Sequence, residues 1–444
     1  MNVPIKPLVL APLTAALVVV AGLSGTANAA PPSDWSAIPT KNLSLFYPGQ
    51  SSYQWLRSPE HKRAFKKTIQ GDGCVSCHED EEAELGQTMV SGDRLEPHPI
   101  DGKQAVIELA TQAAHDNENL YLRFQWKTRN AFGGTAHPHW RFDGKEWKQI
   151  GWPRLHKKVW EDGQPAIYED RLSMMVDDGS VPMFAEQGCW LTCHDGARDM
   201  QDVVGKDAVK AHPLLGGTLK KSDVRKYLPA SRTDEAVSWD ATKSAEEIAA
   251  VKAAGGFVDL MQWRGHRSNP VNMADDGYVL EYRLFDDGKK MFSKNWDKAT
   301  NQPKYMFDAN KAGFKSRTID NLRDPSAPPA LIVEQNAAPF DPNAGWKEGD
   351  MIPEYYVTGT GVEGSAADNN DVTGTWKDGM WTVLWTRKLD TGHPQDDKIM
   401  KVGEVYAFGF AVHDDNITTR GHHVSWPMSV GIGTEADITA VTVQ

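Results

Sequence analysis

Four stretches of the chain alternate between two kinds of side chain with a period of two. Leu120, Leu122, Phe124 and Trp126 alternate with Tyr121, Arg123 and Gln125. Tyr278, Leu280, Tyr282 and Leu284 alternate with Val279, Glu281 and Arg283, and Trp381, Val383 and Trp385 with Thr382 and Leu384. From Val405 to Val412 small residues alternate with aromatic ones, and Gly, Asp or Asn bounds each run. A period of two sends successive side chains to opposite faces of an extended strand, so these runs predict β-strands. Spread over residues 103–444, they predict a mainly β chain built as an antiparallel sandwich or barrel. Helical signals are few. Ser58–Lys67 is a short basic helix candidate, and Ser244-Ala-Glu-Glu247 is a capping box opening a helix that stops at Gly255-Gly256. Residues 204–240, 296–328 and 337–378 are rich in Asp, Asn, Gly, Pro and Lys. Loops of that length in a compact domain usually bind a partner or cover a cofactor.

The first residues follow a different pattern. Lys6 precedes a nearly continuous apolar run over 8–23, and Thr26-Ala-Asn-Ala29 offers small residues at a cleavage site. This pattern predicts a signal peptide over residues 1–29, cleaved near Ala29 or Ala30, and hence a periplasmic protein. No later segment is apolar enough to span a bilayer. The formal charge is −12, and losing Lys6 with the leader takes it to −13. Nucleic acid is therefore excluded as a natural partner. Sixteen tryptophans suit a sheet-rich core or the walls around a flat ligand. P-loop, dinucleotide-binding glycine and H-E-x-x-H motifs are all absent.

An exported protein usually uses its cysteines in disulfides. Here the four fall as Cys74-Val-Ser-Cys77-His78 and Cys189-Trp-Leu-Thr-Cys193-His194. The first is C-x-x-C-H, the attachment pattern of c-type haem: two thiols add to the haem vinyl groups and the adjacent histidine supplies the proximal nitrogen to iron. The second carries one extra residue, C-x-x-x-C-H, a less specific variant. Local disulfides explain the pairs but not the histidine after each second cysteine. Zinc takes Cys and His ligands, yet adjacent Cys-His pairs chelate one tetrahedral ion awkwardly. The expectation is two covalently bound haem c groups (iron), held by Cys74, Cys77, Cys189 and Cys193 with His78 and His194 as proximal ligands.

Three further stretches, set beside Gln112–Trp126, carry a family resemblance. They are Tyr168–Met175, Val258–Asn269, and Ala411-Val-His-Asp414 with Gly421-His-His-Val-Ser425. Together they resemble the ethylbenzene dehydrogenase-type haem-binding domain, the haem subunit module that accompanies molybdenum enzymes of the dimethylsulfoxide reductase family. The resemblance covers roughly residues 100–440. With the leader and the first motif, the chain is expected to divide into a signal peptide (1–29), an N-terminal haem c region (30–102), and, as the resemblance implies, a β-sandwich haem-binding domain (103–444) carrying the second haem c site. Well-known family members hold a non-covalent haem between Met and Lys. Here Arg264 and His266 occupy the neighbourhood of that Lys, and arginine stays protonated, so the chain resembles a c-type, di-haem branch.

Electron-transfer haems usually carry two protein ligands, whereas an open sixth position favours substrate or gas. For the first haem the expected sixth ligand is His61, with His98 and Met89 as rivals. For the second it is His266, with Met174, Met175 and Met200 as rivals. His422 and His423 read as an exposed hairpin, with a supporting position behind a haem ligand as the alternative. These features imply a periplasmic di-haem electron carrier with no catalytic residue of its own. The resemblance implies partners among molybdenum oxidoreductase subunits, and the charge implies basic periplasmic redox proteins. The alternative is a haem enzyme, a peroxidase or small-oxyanion reductase, using His266 beside Arg264 and Arg267 over an open iron. A ligand sensor or storage protein is a third class.

Overall fold

The computed structural model describes residues 1, 31–92, 95–96, 99–129, 133–322 and 330–443. Apart from Met1, the expected leader lies outside the described residues, as does His98. The chain is mainly β. Among the described residues, no helix is long and apolar enough to cross a membrane.

Thirteen strands join one hydrogen-bonded sheet: β1 (Thr40–Phe46), β2 (Val106–His115), β3 (Asn119–Lys127), β4 (Arg171–Asp177), β5 (Val258–Arg264), β6 (Gly277–Val279), β7 (Arg283–Phe285), β8 (Asp371–Lys377), β9 (Met380–Lys388), β10 (Val405–His413), β11 (His423–Val424), β12 (Met428–Ile432) and β13 (Ile438–Thr442). The order is β8-β9-β3-β2-β1-β11-β10-β4-β5-β6-β7, and β12 and β13 link β10 back to β2. A ring of six strands (β1, β2, β13, β12, β10 and β11) therefore closes on itself, with a wing of further strands on either side. Closure leaves no unpaired edge within the ring. Its two parallel pairings, β12–β13 and β2–β13, come at the end of the chain.

The period-two runs decide what each face holds. Leu120, Leu122, Phe124 and Trp126 of β3 point inward with Leu172, Met174 and Val176 of β4. Met261 and Trp263 of β5, Trp381, Val383 and Trp385 of β9, and Phe408, Phe410 and Val412 of β10 complete the same buried cluster. Trp263 meets Trp381 edge-on with ring centres 4.8 Å apart. Each such aromatic buries roughly 150–250 Å², worth several kcal/mol at about 25 cal/mol per Å².

The opposite face of β10, β4 and β5 turns away from this core. Cross-strand register aligns it in rows: Gly409, Met175 and Leu260; then Ala411, Ser173 and Gln262; then His413, Arg171 and Arg264. The face therefore grades from apolar to polar to cationic along the strands.

Two expected elements differ in the structure. The run from Tyr278 to Leu284 is two strands, not one. The chain turns at Leu280–Tyr282, where the Leu280 carbonyl accepts from the Leu228 N–H at 2.7 Å and the Ser231 hydroxyl at 2.9 Å. The basic helix over 58–67 is broken into a short 3₁₀ turn, Pro59–His61, and a helix, Ala64–Gln70. Lys62 sits between them with φ at +53°, a left-handed conformation that stops a helix. The capping box at Ser244 forms as expected and opens the helix Ala245–Ala253. The stretches 296–328 and 337–378 carry short strands, among them Tyr305–Phe307 and Met351–Pro353, that take part in three small sheets with neighbours such as Phe292–Lys294.

Two adjoining cysteine–histidine sites as candidate functional site

The first motif folds as one helical turn. Cys74 precedes the helix Val75–His78, and the Cys77 and His78 amides both donate to the Cys74 carbonyl at 3.1 Å. Spacings of three and four place Cys74, Cys77 and His78 on one side of that turn. They face a narrow cleft of about 150 Å³ lined by Phe46, Trp55, Leu56, His61, Leu85, Met89, Trp190 and Trp426. None of the four cysteines is in a disulfide. Burial pushes the Cys74 thiol up to about 11, while Cys77 is exposed at the rim.

His61 comes to the same cleft from the other side, turned inward by the break at Lys62. Its ring lies 6.2 Å from that of His78, with 14° between the planes. Two imidazoles on opposite sides of one metal, each bonded at about 2 Å, have ring centres roughly 6 Å apart. The His61 Nδ1 meets the Leu56 carbonyl at 2.9 Å, and the His78 Nδ1 meets the Glu81 carboxylate at 2.7 Å. Those contacts orient both rings and leave each Nε2 for the cleft, the arrangement a metal-ligating histidine uses. Burial, with a smaller contribution from His78, holds the His61 pKa below its usual value, which favours the neutral, ligating form. The donor set and spacing fit an iron with two histidine ligands. Met89 also lines the cleft.

The second motif is built differently. A 3₁₀ turn, Gly188–Thr192, carries Cys189, and the extra residue lets Cys193 leave it in extended conformation. Cys189, Cys193 and His194 line a cavity of about 630 Å³, whose floor is the graded face of β10, β4 and β5. Gly409 sits close at the apolar end, where a Cβ would stand 3.0 Å from the Cys189 sulfur and push against it. Among the described residues, the walls carry ten cationic side chains and one carboxylate, Glu354. The counter-charges sit behind the wall. Asp275 accepts from Arg264 at 2.8 Å and Arg283 at 3.1 Å, and Glu169 from Arg267 at 2.7 Å. Burial works against an ionised Glu169, but Arg267, Arg171 and Arg264 hold its pKa down at about 2. Lys290 is lowered to about 7: burial acts most strongly, Asp275 opposes it, and Arg283, Arg264 and Arg267 reinforce it.

His194 is fully buried and committed on both nitrogens. Nε2 meets the Tyr227 carbonyl at 2.8 Å, Nδ1 meets the Gln54 amide at 3.1 Å, and the ring stacks on Tyr227 at 3.7 Å. The thiols and the cavity fit a covalent haem; the histidine fits as a ligand once it gives up the Tyr227 carbonyl.

The structure separates the expected sixth ligands of the second site. Met175 and Met200 are on the cavity wall, whereas Met174 faces the apolar core. His266 is fully buried and does not reach the wall; its ring lies 6.0 Å from His137 and 6.2 Å from His139, in a layer behind it. Sequence reasoning missed His137, His413 and Lys290, which do line the cavity. His413 was legible as the end of the alternating run, whose small-residue face continues into it. His422 and His423 are buried rather than exposed: His423 opens β11, which pairs with both β1 and β10, and His422 lines the wide cavity.

The two sites share a wall. Cys189 opens into the wide cavity and the next residue, Trp190, lines the narrow cleft. Trp190, Phe46 and Trp426 pack together with ring centres 4.7–5.6 Å apart. The helix Tyr53–Leu56 also serves both sides: Trp55 and Leu56 line the cleft, while the Tyr53 amide donates to the Cys193 carbonyl at 2.7 Å. The Cys74 amide donates to the Glu186 carbonyl at 3.2 Å, tying the first motif to the segment just before the second.

Comparison with known proteins places the chain among haem-related sequences. The sequence matches the ethylbenzene dehydrogenase family over residues 33–425, which include both motifs. It is 29% identical over 418 residues to a protein named cytochrome c-552 from Stutzerimonas stutzeri, covering 93% of this chain and 92% of that one. It is 26% identical over 191 residues to cytochrome c-551 from Rhodocyclus tenuis, covering 42% of this chain and 64% of that one.

Proposed function

The chain belongs to the ethylbenzene dehydrogenase family, and on that premise we propose that it is a periplasmic electron-transfer protein carrying two covalent haem c groups. Cys74, Cys77 and His78 hold one and Cys189, Cys193 and His194 the other. The observation that carries this reading is the shared wall: the two motifs lie back to back across Cys189 and Trp190. Bound haem supplies a one-electron iron couple, and the polypeptide supplies ligands, orientation and dryness. At the first site His61 and His78 each offer an Nε2 while their Nδ1 contacts fix the rings. The apolar cleft walls exclude water. At the second site the graded floor orients its ligand. The thiols stand beside the apolar row, and Arg171, Arg264 and Arg283 stand where anionic groups such as haem propionates gain most.

In this reading the partner is a molybdenum oxidoreductase subunit or a basic periplasmic redox protein. The charge of −12 supports a basic partner, as do Glu79, Asp80, Glu81, Glu82 and Glu84, which directly follow His78. Salt discriminates between modes of association. A steered encounter weakens as the Debye length shrinks from about 30 Å at 0.01 M to 10 Å at 0.1 M, whereas an apolar subunit interface survives.

The deciding measurement is the mass of the mature protein with haem counting as the pyridine haemochrome. Two haems per chain are expected, both covalent. Free thiols or bound zinc without haem would overturn the reading. The width and cationic lining of the second cavity favour one alternative, a haem enzyme acting on a small oxyanion there. Carbon monoxide binding to the reduced protein, with turnover of nitrite or peroxide near 10 per second, the usual enzyme median, would establish that alternative. The carrier reading expects neither.

A further inference from the structure

At the far end of β5 from the cationic row, the meander β5-β6-β7 and the loop between β9 and β10 bring acidic residues together inside the protein. Asp259 lies on β5, Asp276 just before β6, Asp286 just after β7, and Asp397 in the loop. All four are buried: Asp259 is 0% exposed, Asp276 and Asp397 2%, and Asp286 6%. One carboxylate oxygen each from Asp259, Asp276 and Asp397 lies within 4.8 Å of the others. Oxygens bonded at 2.3–2.6 Å on opposite sides of one cation are separated by about that much.

A second, independent observation points to a missing ligand. Asp286 is not one of that trio, yet both its oxygens are buried without a hydrogen-bond partner, and the charges acting most strongly on it are those of Asp397 and Asp259. Both oxygens of Asp397 and the Oδ1 of Asp259 are likewise unpartnered. Buried ionised carboxylates without partners are strongly unfavourable. The nearby cations do not balance them. Arg387 pairs with the Asp259 Oδ2 at 2.9 Å, but the Lys398 ammonium is taken by Asp177 at 3.2 Å and Asp178 at 2.6 Å. Of the four carboxylates, only Asp259 has a direct ion pair among the described residues.

We propose that Asp259, Asp276, Asp286 and Asp397 bind one calcium ion that clamps the β5-β6-β7 meander to the β9–β10 loop. The donors are all hard oxygens, which excludes the soft metals. Calcium takes six to eight oxygens in adaptable geometry, whereas magnesium demands near-ideal octahedra at about 2.0–2.1 Å and keeps its waters. Four carboxylates on three separate segments, in a dry site, match the first requirement. The site is distinct from both cysteine–histidine sites, so its occupancy is independent of the electron-transfer reading.

The test uses the full, haem-loaded chain. After exhaustive dialysis against a calcium chelator, the protein is titrated with calcium chloride while bound metal and the thermal midpoint are measured. One calcium per chain and a midpoint several degrees higher are expected. In Asp286→Asn and Asp397→Asn the calcium response disappears, yet each variant in chelator is at least as stable as wild type, because the change removes a repelling charge. His393→Gln, which alters the neighbouring half-exposed Asp368–His393 pair, retains the response. The proposal is overturned if chelator leaves both metal content and midpoint unchanged, which would mean protons rather than a cation neutralise the carboxylates. An equal response to magnesium overturns the assignment to calcium.

Discussion

The two cysteine–histidine sites differ in almost everything except their motif. The first is a single helical turn at the surface, facing a narrow apolar cleft, with its histidine half-buried and opposed by a second histidine at 6.2 Å. The second is sunk against the sheet, facing a cavity of about 630 Å³ with ten cations on its walls, and its histidine is fully engaged with protein partners. In the first the cysteines and histidine share one local turn, although Phe46, Trp190 and Trp426 from distant segments close the cleft it faces. The second depends on strands brought together from residues 171–413. One motif in two environments separates what a motif sets, attachment chemistry, from what its surroundings set: access, ligand field and potential.

The largest expected contrast comes from removing the attachment cysteines. Cys74→Ala with Cys77→Ala, and Cys189→Ala with Cys193→Ala, each lose half of the covalent haem. Only the second pair lowers the unfolding midpoint strongly, on the order of 10 °C, because a large interior cavity then loses the ligand that stabilises the folded state. Equal losses of stability in the two double variants would dissolve the distinction between a surface site and an interior one.

Ligation gives the next contrast. His61→Ala is expected to turn the first haem high-spin and to shift its potential, since axial ligand identity is the main control. At the second site Met175→Ala and Met200→Ala are the informative changes, while His266→Ala leaves the haem spectrum as it was, its ring lying behind the wall. A high-spin shift in His266→Ala would bring that residue back as the ligand.

Charge should also set the two potentials apart. Positive charge beside an iron favours its reduced form, so the second haem is expected at the higher potential. Arg283→Gln should lower it by tens of millivolts, where roughly 59 mV corresponds to a tenfold change for one electron, and leave the first haem in place. Redox titration of wild type and variant, following each haem separately, checks both statements.

The smallest effect is on acid stability. Burial holds His139 down at about 3 and His266 at about 4, against roughly 6.5 in an unfolded chain. Above pH 6.5 both states are neutral. As pH falls below 6.5 the unfolded chain binds protons that the folded one refuses, so stability declines down to about pH 3. Glu169, held at about 2 by the arginines, adds a loss between about pH 4.5 and 2. His139→Gln should flatten the upper part of this decline in a pH series of thermal midpoints, while His61→Gln, at the half-exposed first site, changes it less.

Much of the sheet was legible from alternation. Leu120–Trp126, Trp381–Trp385 and Val405–Val412 are strands whose two faces carry different side chains, large apolar ones toward the core and smaller or polar ones on the other face, and that difference is written directly in the sequence. The run at Tyr278–Leu284 misled for the same reason. Its apolar positions are buried on both sides of a turn, and a backbone contact with Leu228, far away in sequence, bends it. At the sites, the cysteines and their histidines were visible as motifs because each set is contiguous in sequence. His61 was reachable too, as a histidine close in sequence to the motif it opposes. The surroundings of the second site were not: Met174 and Met175 are neighbours in sequence, and only the face each takes on β4 sends one to the core and the other to the cavity.

By itself, then, the sequence determined what covalent geometry and short-range periodicity control: a mainly β chain and two cysteine–histidine motifs of different spacing. Only the tertiary structure decided that the strands close through β12 and β13, that Trp190 joins the two sites, that ten cations converge on one of them, and that four aspartates meet in the interior. Those features depend on contacts between segments tens to hundreds of residues apart. A charge or a ring carries no record in sequence of which distant partner will stand beside it once the chain has folded.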